Sequence, residues 1–208
     1  MKPSISKSMS AALTAVALVS SLSACAPLVV GGAVMTGMVA VDRRTTGIQL
    51  EDEGIELRTA QGLRQNLGDT SHINVTSYNR QVLLTGEVAT AAQKEQADKL
   101  AQSQENVKAV ANELSVQAPS SLTQRSKDAI ITGQIKALFV DAKDLQSNAF
   151  KVVTERGVVY LMGRVTSREA QRATDVARSV SGVVKVVRVL DIITEEELKR
   201  LSAQPASK

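Results

Sequence analysis

A repeated segment constrains the fold of this chain more than any other feature of its sequence. Residues 73–88 match residues 150–165 at a constant offset of 77. The identical pairs are Val75 and Val152, Val82 and Val159, Leu84 and Leu161, Gly86 and Gly163, and Val88 and Val165. Each copy alternates apolar and polar residues on both sides of a short turn, which is typical of a β-hairpin. The shared glycine predicts a bulge or a close approach of neighbouring backbone. The repeat therefore predicts two copies of one supersecondary unit.

Helical patterns surround each hairpin and repeat with it. Apolar residues at helical spacing precede the hairpins and predict inward-facing stripes: Ala60, Leu63 and Leu67 in the first copy, and Ile131, Ile135, Leu138 and Ala142 in the second. A second helix is predicted over 90–101 and 167–180, and a valine-rich strand closes each copy over 107–116 and 183–193. This order predicts an α+β fold with two tandem αββαβ domains, each a three-stranded sheet packed on two helices.

The first 25 residues have the composition of an export signal. Lys2 and Lys7 precede an apolar stretch over 11–22, and small residues then lead to Leu22-Ser23-Ala24-Cys25. This end resembles a bacterial lipobox, which implies cleavage before Cys25 and acylation of its thiol and its new amine. The alternative is an ordinary signal peptide with an unrelated cysteine after it.

The lipobox has consequences for location and for cofactors. Acyl chains on Cys25 anchor a protein stably, since each buried methylene contributes about 0.8 kcal/mol. Ala26 follows the cysteine instead of Asp, which resembles lipoproteins sorted to the outer membrane. We therefore expect a lipid-anchored outer-membrane protein that faces the periplasm, with no cofactor other than these covalent acyl chains. Cys25 is the only cysteine of the chain, so no disulfide is predicted.

These features divide the chain into six segments. We predict a signal peptide over 1–24, an acylated apolar tether over 25–48, a first domain over 49–117, a linker over 118–122, a second domain over 123–193 and a C-terminal tail over 194–208. The apolar part of the tether is shorter than the roughly 20 residues that a membrane-spanning helix needs. The tail has helix-forming composition only up to Leu201, and the pattern leaves open whether a helix forms there.

Charge separates the two domains. Residues 51–117 contain six Lys or Arg and ten Asp or Glu, a net charge of −4, whereas residues 123–193 contain twelve and seven, a net charge of +5. A basic domain tethered at a bilayer favours anionic lipid head groups, each nearby Lys or Arg adding about 1 kcal/mol. The alternatives are a solvated basic surface without a ligand, or docking of the two oppositely charged domains on each other. Nucleic acid is not expected as a partner of a periplasmic protein.

The sequence predicts no catalytic chemistry. His72 is the only histidine, and we expect it at the surface where a strand begins. No metal site or catalytic triad built on histidines is therefore predicted, and we expect no catalytic residue, no metal and no enzymatic activity.

The first helix of the second domain is the candidate binding surface. If Ile131 and Ile135 face the core, Ile130 lies about 100° away around the helix and faces solvent among basic side chains. Such an arrangement is expected of an interfacial membrane contact. The predicted phospholipid-binding residues are Arg125, Lys127, Ile130, Gly133, Gln134, Lys136 and Phe139. The alternative is that Ile130 packs on the first repeat or on the tail.

A second basic cluster lies on the next helix of that domain. Arg168 and Arg172 stand one turn apart, with Arg164 upstream. They form either a phosphate-binding patch or a solvated face paired with Glu169 and Asp175, and we favour the solvated face.

The repeat carries a family resemblance. Its hairpin ending in Leu-x-Gly-x-Val, the Ala-rich helix that follows, and the closing segments 105–112 and 181–187 resemble BON domains. Two such domains behind a lipobox resemble the dual-BON outer-membrane lipoproteins of the DolP type. Members of that group carry Trp where Ile130 stands here, and Ile lacks the indole N–H that favours a bilayer interface. We therefore expect a weaker or mainly electrostatic lipid contact in this chain.

The resemblance implies a function without catalysis. It implies that the second domain binds anionic phospholipids of the inner leaflet of the outer membrane and supports outer-membrane integrity, with division sites as the place of action. The alternative is a protein-interaction scaffold, in which the acidic first domain or a sheet edge binds an outer-membrane protein complex such as the β-barrel assembly machinery.

Overall fold

The computed structural model describes residues 42–68 and 71–203. The predicted signal peptide, Cys25, the tether up to residue 41 and the last five residues of the tail lie outside the described residues. Ala40–Lys208 forms a compact unit. Within it, helices and mixed sheets confirm the predicted α+β class. Among the helices in the described ranges, none is both long enough and apolar enough to cross a bilayer.

The first repeat forms two helices and one mixed sheet. Its elements are α1 (Thr46–Leu67), β1 (His72–Tyr78), β2 (Gln81–Val88), α2 (Ala91–Gln102), β3 (Ala109–Asn112) and β4 (Ser115–Val116). β1 pairs with β2 antiparallel, and β3 and β4 both pair with β2 in parallel. The predicted closing strand is therefore two short strands. The Asn112 side chain holds the break, since its Oδ1 accepts a hydrogen bond from the Leu114 amide, and Leu114 packs into the core.

The second repeat has the same order with longer strands. Its elements are α3 (Leu122–Asp141), a 3₁₀ turn (Ser147–Ala149), β5 (Phe150–Glu155), β6 (Val158–Thr166), α4 (Ser167–Arg178) and β7 (Lys185–Ile193). β5 and β6 pair antiparallel, and β7 pairs with β6 in parallel. The tail continues as α5 (Glu195–Ala203), which answers the question that its composition left open.

The starts of α1 and α3 are set by hydroxyl caps that the sequence analysis did not use. α1 begins at Thr46, inside the stretch assigned to the tether, because Thr45 Oγ1 accepts a hydrogen bond from the Ile48 amide. α3 begins at Leu122, where the linker was expected to end, because Ser121 Oγ accepts a hydrogen bond from the Gln124 amide.

The two sheets bury both of their faces. One face of each sheet packs on its own pair of helices, with Val82 and Leu84 of β2 in the first core and Val159 and Leu161 of β6 in the second. The alternate residues of the two sheets form a third apolar cluster that joins the repeats: Tyr78, Leu83, Tyr160, Met162 and Val189. The repeats thus dock on each other through their sheets.

Opposite charges at the edges of this contact fit the charge separation of the sequence. Lys151 Nζ of the second repeat lies 2.6 Å from Glu56 Oε1 of the first, and Arg156 Nε lies 2.5 Å from Glu87 Oε1. Docking of the two domains on each other, which the sequence analysis left as an alternative, is what the described residues show.

The inward stripe of α3 differs from the predicted one at one position. Ile131 and Ile135 are buried, but Leu138 is 39% exposed and Phe139 only 1% exposed. Phe139 packs against Phe150 with ring centroids 5.2 Å apart. Because a 3.6-residue period allows either of two adjacent residues to face inward, this aromatic contact selects Phe139. The assignment of Phe139 to the lipid-binding surface was therefore wrong.

The shared glycine of the repeat lies where a neighbouring backbone segment comes too close for a side chain, as predicted. A Cβ on Gly86 would collide with the carbonyl oxygen of His72, and a Cβ on Gly163 would collide with that of Ala149.

The position of His72 corrects the expectation of a surface histidine. It is partly buried in β1, with Nδ1 3.1 Å from Oε2 of Glu87.

Candidate functional site

The outward face of α3 presents an exposed isoleucine. Ile130 is 60% exposed, so neither the first repeat nor the described part of the tail buries it. Lys127, Gly133 and Gln134 are also exposed and lie within about 60° of Ile130 around the helix axis. Lys136 is exposed on the flank of the same helix. The structure therefore places five of the seven predicted residues on the accessible side of α3.

Arg125 lies at the edge of this surface. Its side chain is partly buried, and its Nε donates a hydrogen bond to Ser120 Oγ at 3.2 Å. Its guanidinium helps to hold the linker against the start of α3, so its charge is less available than that of Lys127.

A buried carboxylate fixes α3 on the hairpin of its own domain. Asp128 accepts hydrogen bonds from the amides of Arg156 and Gly157, both at 2.9 Å. These two residues form the β5–β6 turn and have positive φ angles, so their amides point to one side. Because Asp128 faces inward at this turn, Ile130 must face outward. The sequence analysis missed this residue.

Two lysines of α3 differ from two arginines of α4 in their ion pairing. Neither Lys127 nor Lys136 has an ion-pair partner among the residues that the structure describes. By contrast, Arg172 lies 3.0 Å from Asp144, and Arg168 lies 3.7 Å from Glu195. Arg168 and Arg172 are thus paired on a solvated face, with partners other than those predicted.

Arg43 and Arg44, near the end of the predicted tether, contact one domain each and together form a clasp. Arg43 donates two hydrogen bonds to the Glu169 carboxylate, at 2.9 and 2.7 Å, and one to the Arg164 carbonyl. Arg44 donates to Asp52 at 2.8 Å and lies over the ring of Tyr78, 4.2 Å from its centroid. The start of the folded chain is therefore attached to the second domain by one arginine and to the first domain by the next.

This clasp also places the chain start beside α3. A surface cavity of about 430 Å³ has Asp42 and Arg44 on one side and Lys136 and Val140 of α3 on another. Any anchor upstream of residue 42 therefore joins the fold close to the exposed face of α3.

The environment of Glu169 stabilises its charged form. Burial opposes ionisation of this carboxyl, but hydrogen bonds from Arg43 and from the Thr166 amide outweigh it and hold its pKa below the usual range. Glu169 also completes the capping box of α4 with Thr166. The clasp and the start of α4 thus share one buried carboxylate.

Comparison with known families agrees with this architecture. The family model described as "BON domain" matches residues 52–118 and again residues 127–194. The chain belongs to the BON-domain family. Its two BON domains are the two repeats that the structure describes as separate cores with a common sheet-to-sheet contact.

Curated relatives share both BON domains. The chain is 39% identical to the "Outer membrane lipoprotein DolP" of Haemophilus influenzae over 171 residues, which cover 81% of this chain and 88% of the relative. It is 36% identical to a "21 kDa hemolysin" of Actinobacillus pleuropneumoniae, over 74% of this chain and 80% of the relative. It is 32% identical to the "Osmotically-inducible protein Y" of Escherichia coli, over 66% and 70%.

The two BON domains differ at the exposed helix face. Asp52 holds the first hairpin turn as Asp128 holds the second, which aligns the two helices at an offset of 76. With this alignment Glu51 takes the place of Lys127, Gly54 that of Ile130 and Ala60 that of Lys136. Only the second BON domain therefore combines an exposed apolar residue with free lysines at these positions.

Proposed function

We propose that this chain is an outer-membrane stress-related lipoprotein whose second BON domain binds anionic phospholipid through the outward face of α3. The observation that carries the proposal is Ile130, exposed beside the free Lys127 on a helix whose opposite face packs on its domain through Asp128, Ile131 and Ile135. An apolar side chain at this position enters the acyl boundary of a bilayer while a lysine next to it reaches lipid phosphates.

The similarity to an outer-membrane lipoprotein and to an osmotically inducible protein supports the location and the stress-related role. The lipobox supports attachment through acyl chains on Cys25. The 16 residues 26–41 separate Cys25 from the described fold, and a chain of that length spans at most about 55 Å at about 3.5 Å per residue. A short tether raises the effective concentration of the α3 face at the bilayer, so a weak contact suffices.

The contact depends on lipid composition, and this gives the protein its proposed role. Without the aromatic ring of Trp, Ile130 contributes less at an interface, and the lysines select anionic head groups. The protein then concentrates where anionic lipid gathers, such as division sites, and supports the integrity of the outer membrane there.

The test measures how residues 40–208, the compact unit without Cys25, co-sediment with vesicles. Binding is expected to vesicles that contain phosphatidylglycerol and not to vesicles of phosphatidylethanolamine alone, and it is expected to weaken as salt rises. Replacing Lys127→Gln and Lys136→Gln together removes about 2 kcal/mol, which is about 30-fold in affinity. Equal binding to both kinds of vesicle would contradict the proposal.

A scaffold function is the second candidate, and one observation favours it. Leu50 and Leu57 are exposed on α1 of the first BON domain, two turns apart on one side and next to acidic residues. An apolar and basic surface of an outer-membrane protein complex fits this chemistry. In cells that lack the protein, this candidate predicts that the Leu57→Asp variant fails to restore envelope integrity and that Ile130→Asp restores it. The lipid-binding function predicts the reverse.

A further inference from the structure

Three metal-binding side chains meet at the seam between the two BON domains. His72 begins β1 and Glu87 lies opposite it in β2, since the two residues pair across the antiparallel strands. Glu155 ends β5 of the second domain. One ligand atom from each of the three side chains lies within 4.8 Å of the other two, and His72 Nδ1 is 3.1 Å from Glu87 Oε2.

The cluster has more negative than positive charge. Glu87 and Glu155 are both buried, and Arg156 forms an ion pair with Glu87 through Oε1. Asp128 adds a third buried carboxylate on the other side of the Arg156–Gly157 turn. Buried carboxylates in excess of their cations are costly, and a bound divalent cation is one way to remove that cost.

We propose that His72, Glu87 and Glu155 bind a divalent cation of the Zn²⁺ type. A tetrahedral Zn²⁺ with ligand distances of about 2.0–2.1 Å separates its ligand atoms by about 3.3 Å. His72 and Glu87 already stand near that separation. The Glu155 oxygen lies within 4.8 Å of the other two ligand atoms, so a shift of about 1.5 Å or less completes the set. One imidazole nitrogen with two carboxylate oxygens suits Zn²⁺ better than Ca²⁺ or Mg²⁺, which prefer oxygen ligands alone.

The surrounding residues supply the remaining parts of such a site. Arg156 Nε contacts Oε1 of Glu87 and leaves Oε2 for the cation, and Asn74 Nδ2 donates to Glu155 Oε2 at 3.1 Å. Hydrogen bonds of this kind orient metal-binding carboxylates. The His72 side chain is partly exposed, so a water molecule can reach the fourth position.

The site joins the two BON domains, because two ligands belong to the first domain and one to the second. A bound cation therefore stabilises the sheet-to-sheet contact in addition to the apolar cluster. The metal-site proposal goes beyond the lipid-binding proposal and does not depend on it, because none of the three ligands lies on α3.

The test is titration of the whole chain, in detergent and freed of metal by a chelator, with Zn²⁺ and separately with Ca²⁺. Calorimetry is expected to show one Zn²⁺ per chain, with a rise in Tm that Ca²⁺ does not produce. His72→Gln and Glu155→Gln are each expected to weaken Zn²⁺ binding by about tenfold or more. Glu95→Gln, at an exposed ion pair of α2, is the matched control and keeps the affinity of the unchanged chain.

Folding of each variant is checked first by its Tm without metal. Glu155→Gln retains an oxygen that accepts the Asn74 hydrogen bond, so it is the variant expected to disturb the fold least. The proposal is overturned if the unchanged chain does not bind Zn²⁺, if Ca²⁺ raises the Tm equally, or if the folded variants bind Zn²⁺ with unchanged affinity.

Discussion

At the scale of single residues, two buried aspartates fix the orientation of the helices on their hairpins. Asp52 accepts hydrogen bonds from the amides of Asn79 and Arg80 at 2.8 and 2.7 Å, and Asp128 does the same for the second turn. Three of the four turn residues are not glycine and still have positive φ angles. The carboxylates stabilise this backbone by satisfying amides that would otherwise be buried without partners.

Replacing Asp128→Ala tests this role. Two hydrogen bonds to a charged acceptor are lost and two amides remain unsatisfied, so the free energy of unfolding is expected to fall by about 2–4 kcal/mol. Urea unfolding measures the change. Gln124→Ala, which removes only a side-chain donor to Asp128 at 3.1 Å, is the control and is expected to cost less than about 1 kcal/mol. Equal losses in both variants would show that Asp128 does not hold the turn.

The role of these two aspartates could not be predicted from the pattern of either helix. An acidic residue inside a helix is usually solvated, so nothing in either helix alone distinguishes Asp52 or Asp128. The available signal was their matching position in the repeat, 76 residues apart. That offset differs by one from the hairpin offset of 77, and therefore a comparison at a single constant offset missed it.

At the scale of elements, two glycines of the second domain differ in whether their surroundings leave room for a side chain. Gly163 lies in β6 against the Ala149 carbonyl, whereas a Cβ on Gly133 of α3 would meet no atom within 4 Å. Gly163→Ala is expected to lower the free energy of unfolding by about 1–3 kcal/mol, because the Ala149 carbonyl at the end of the 3₁₀ turn must move away. Gly133→Ala is expected to raise it by about 0.5–1 kcal/mol, because alanine favours a helix. Thermal unfolding of both variants measures the difference, and a loss of stability at Gly133 would contradict the open surface.

Elements were predictable where local pattern decides them. The hairpins and the helix that follows each of them were predicted from spacing within a few residues, and the structure confirms them. The choice between Leu138 and Phe139 was not predictable, because contact with Phe150 decides it and that residue comes from another element. The exposure of Ile130 was predictable from two buried neighbours on the same helix, Ile131 and Ile135.

At the scale of the whole molecule, contacts distant in sequence join the chain start to both domains. Arg43 and Glu169 are 126 residues apart, and no local pattern predicts their pairing. Because both side chains are buried, loss of one partner leaves the other charge without compensation. Glu169→Gln is therefore expected to lower the free energy of unfolding by about 3–5 kcal/mol at neutral pH.

The pH dependence of the same pair has a definite sign. The folded-state pKa of Glu169 lies below the unfolded value of about 4.5, so its contribution is fully present above that pH and is lost as the pH falls through the folded value. Urea unfolding from neutral to acidic pH is expected to show a smaller acid loss in Glu169→Gln than in the unchanged chain. An identical pH profile in both proteins would contradict the role of Arg43.

The central claim is that the second BON domain binds anionic membranes through α3, and a pair of matched substitutions tests it most directly. Ile130→Asp and Leu57→Asp each place a carboxylate on an exposed apolar position of equivalent helices in the two domains. The measurement is the affinity of residues 40–208 for phosphatidylglycerol vesicles. The account predicts that Ile130→Asp weakens binding by at least about tenfold, while Leu57→Asp leaves it unchanged. Unchanged binding of Ile130→Asp, or an equal loss in both variants, would contradict it.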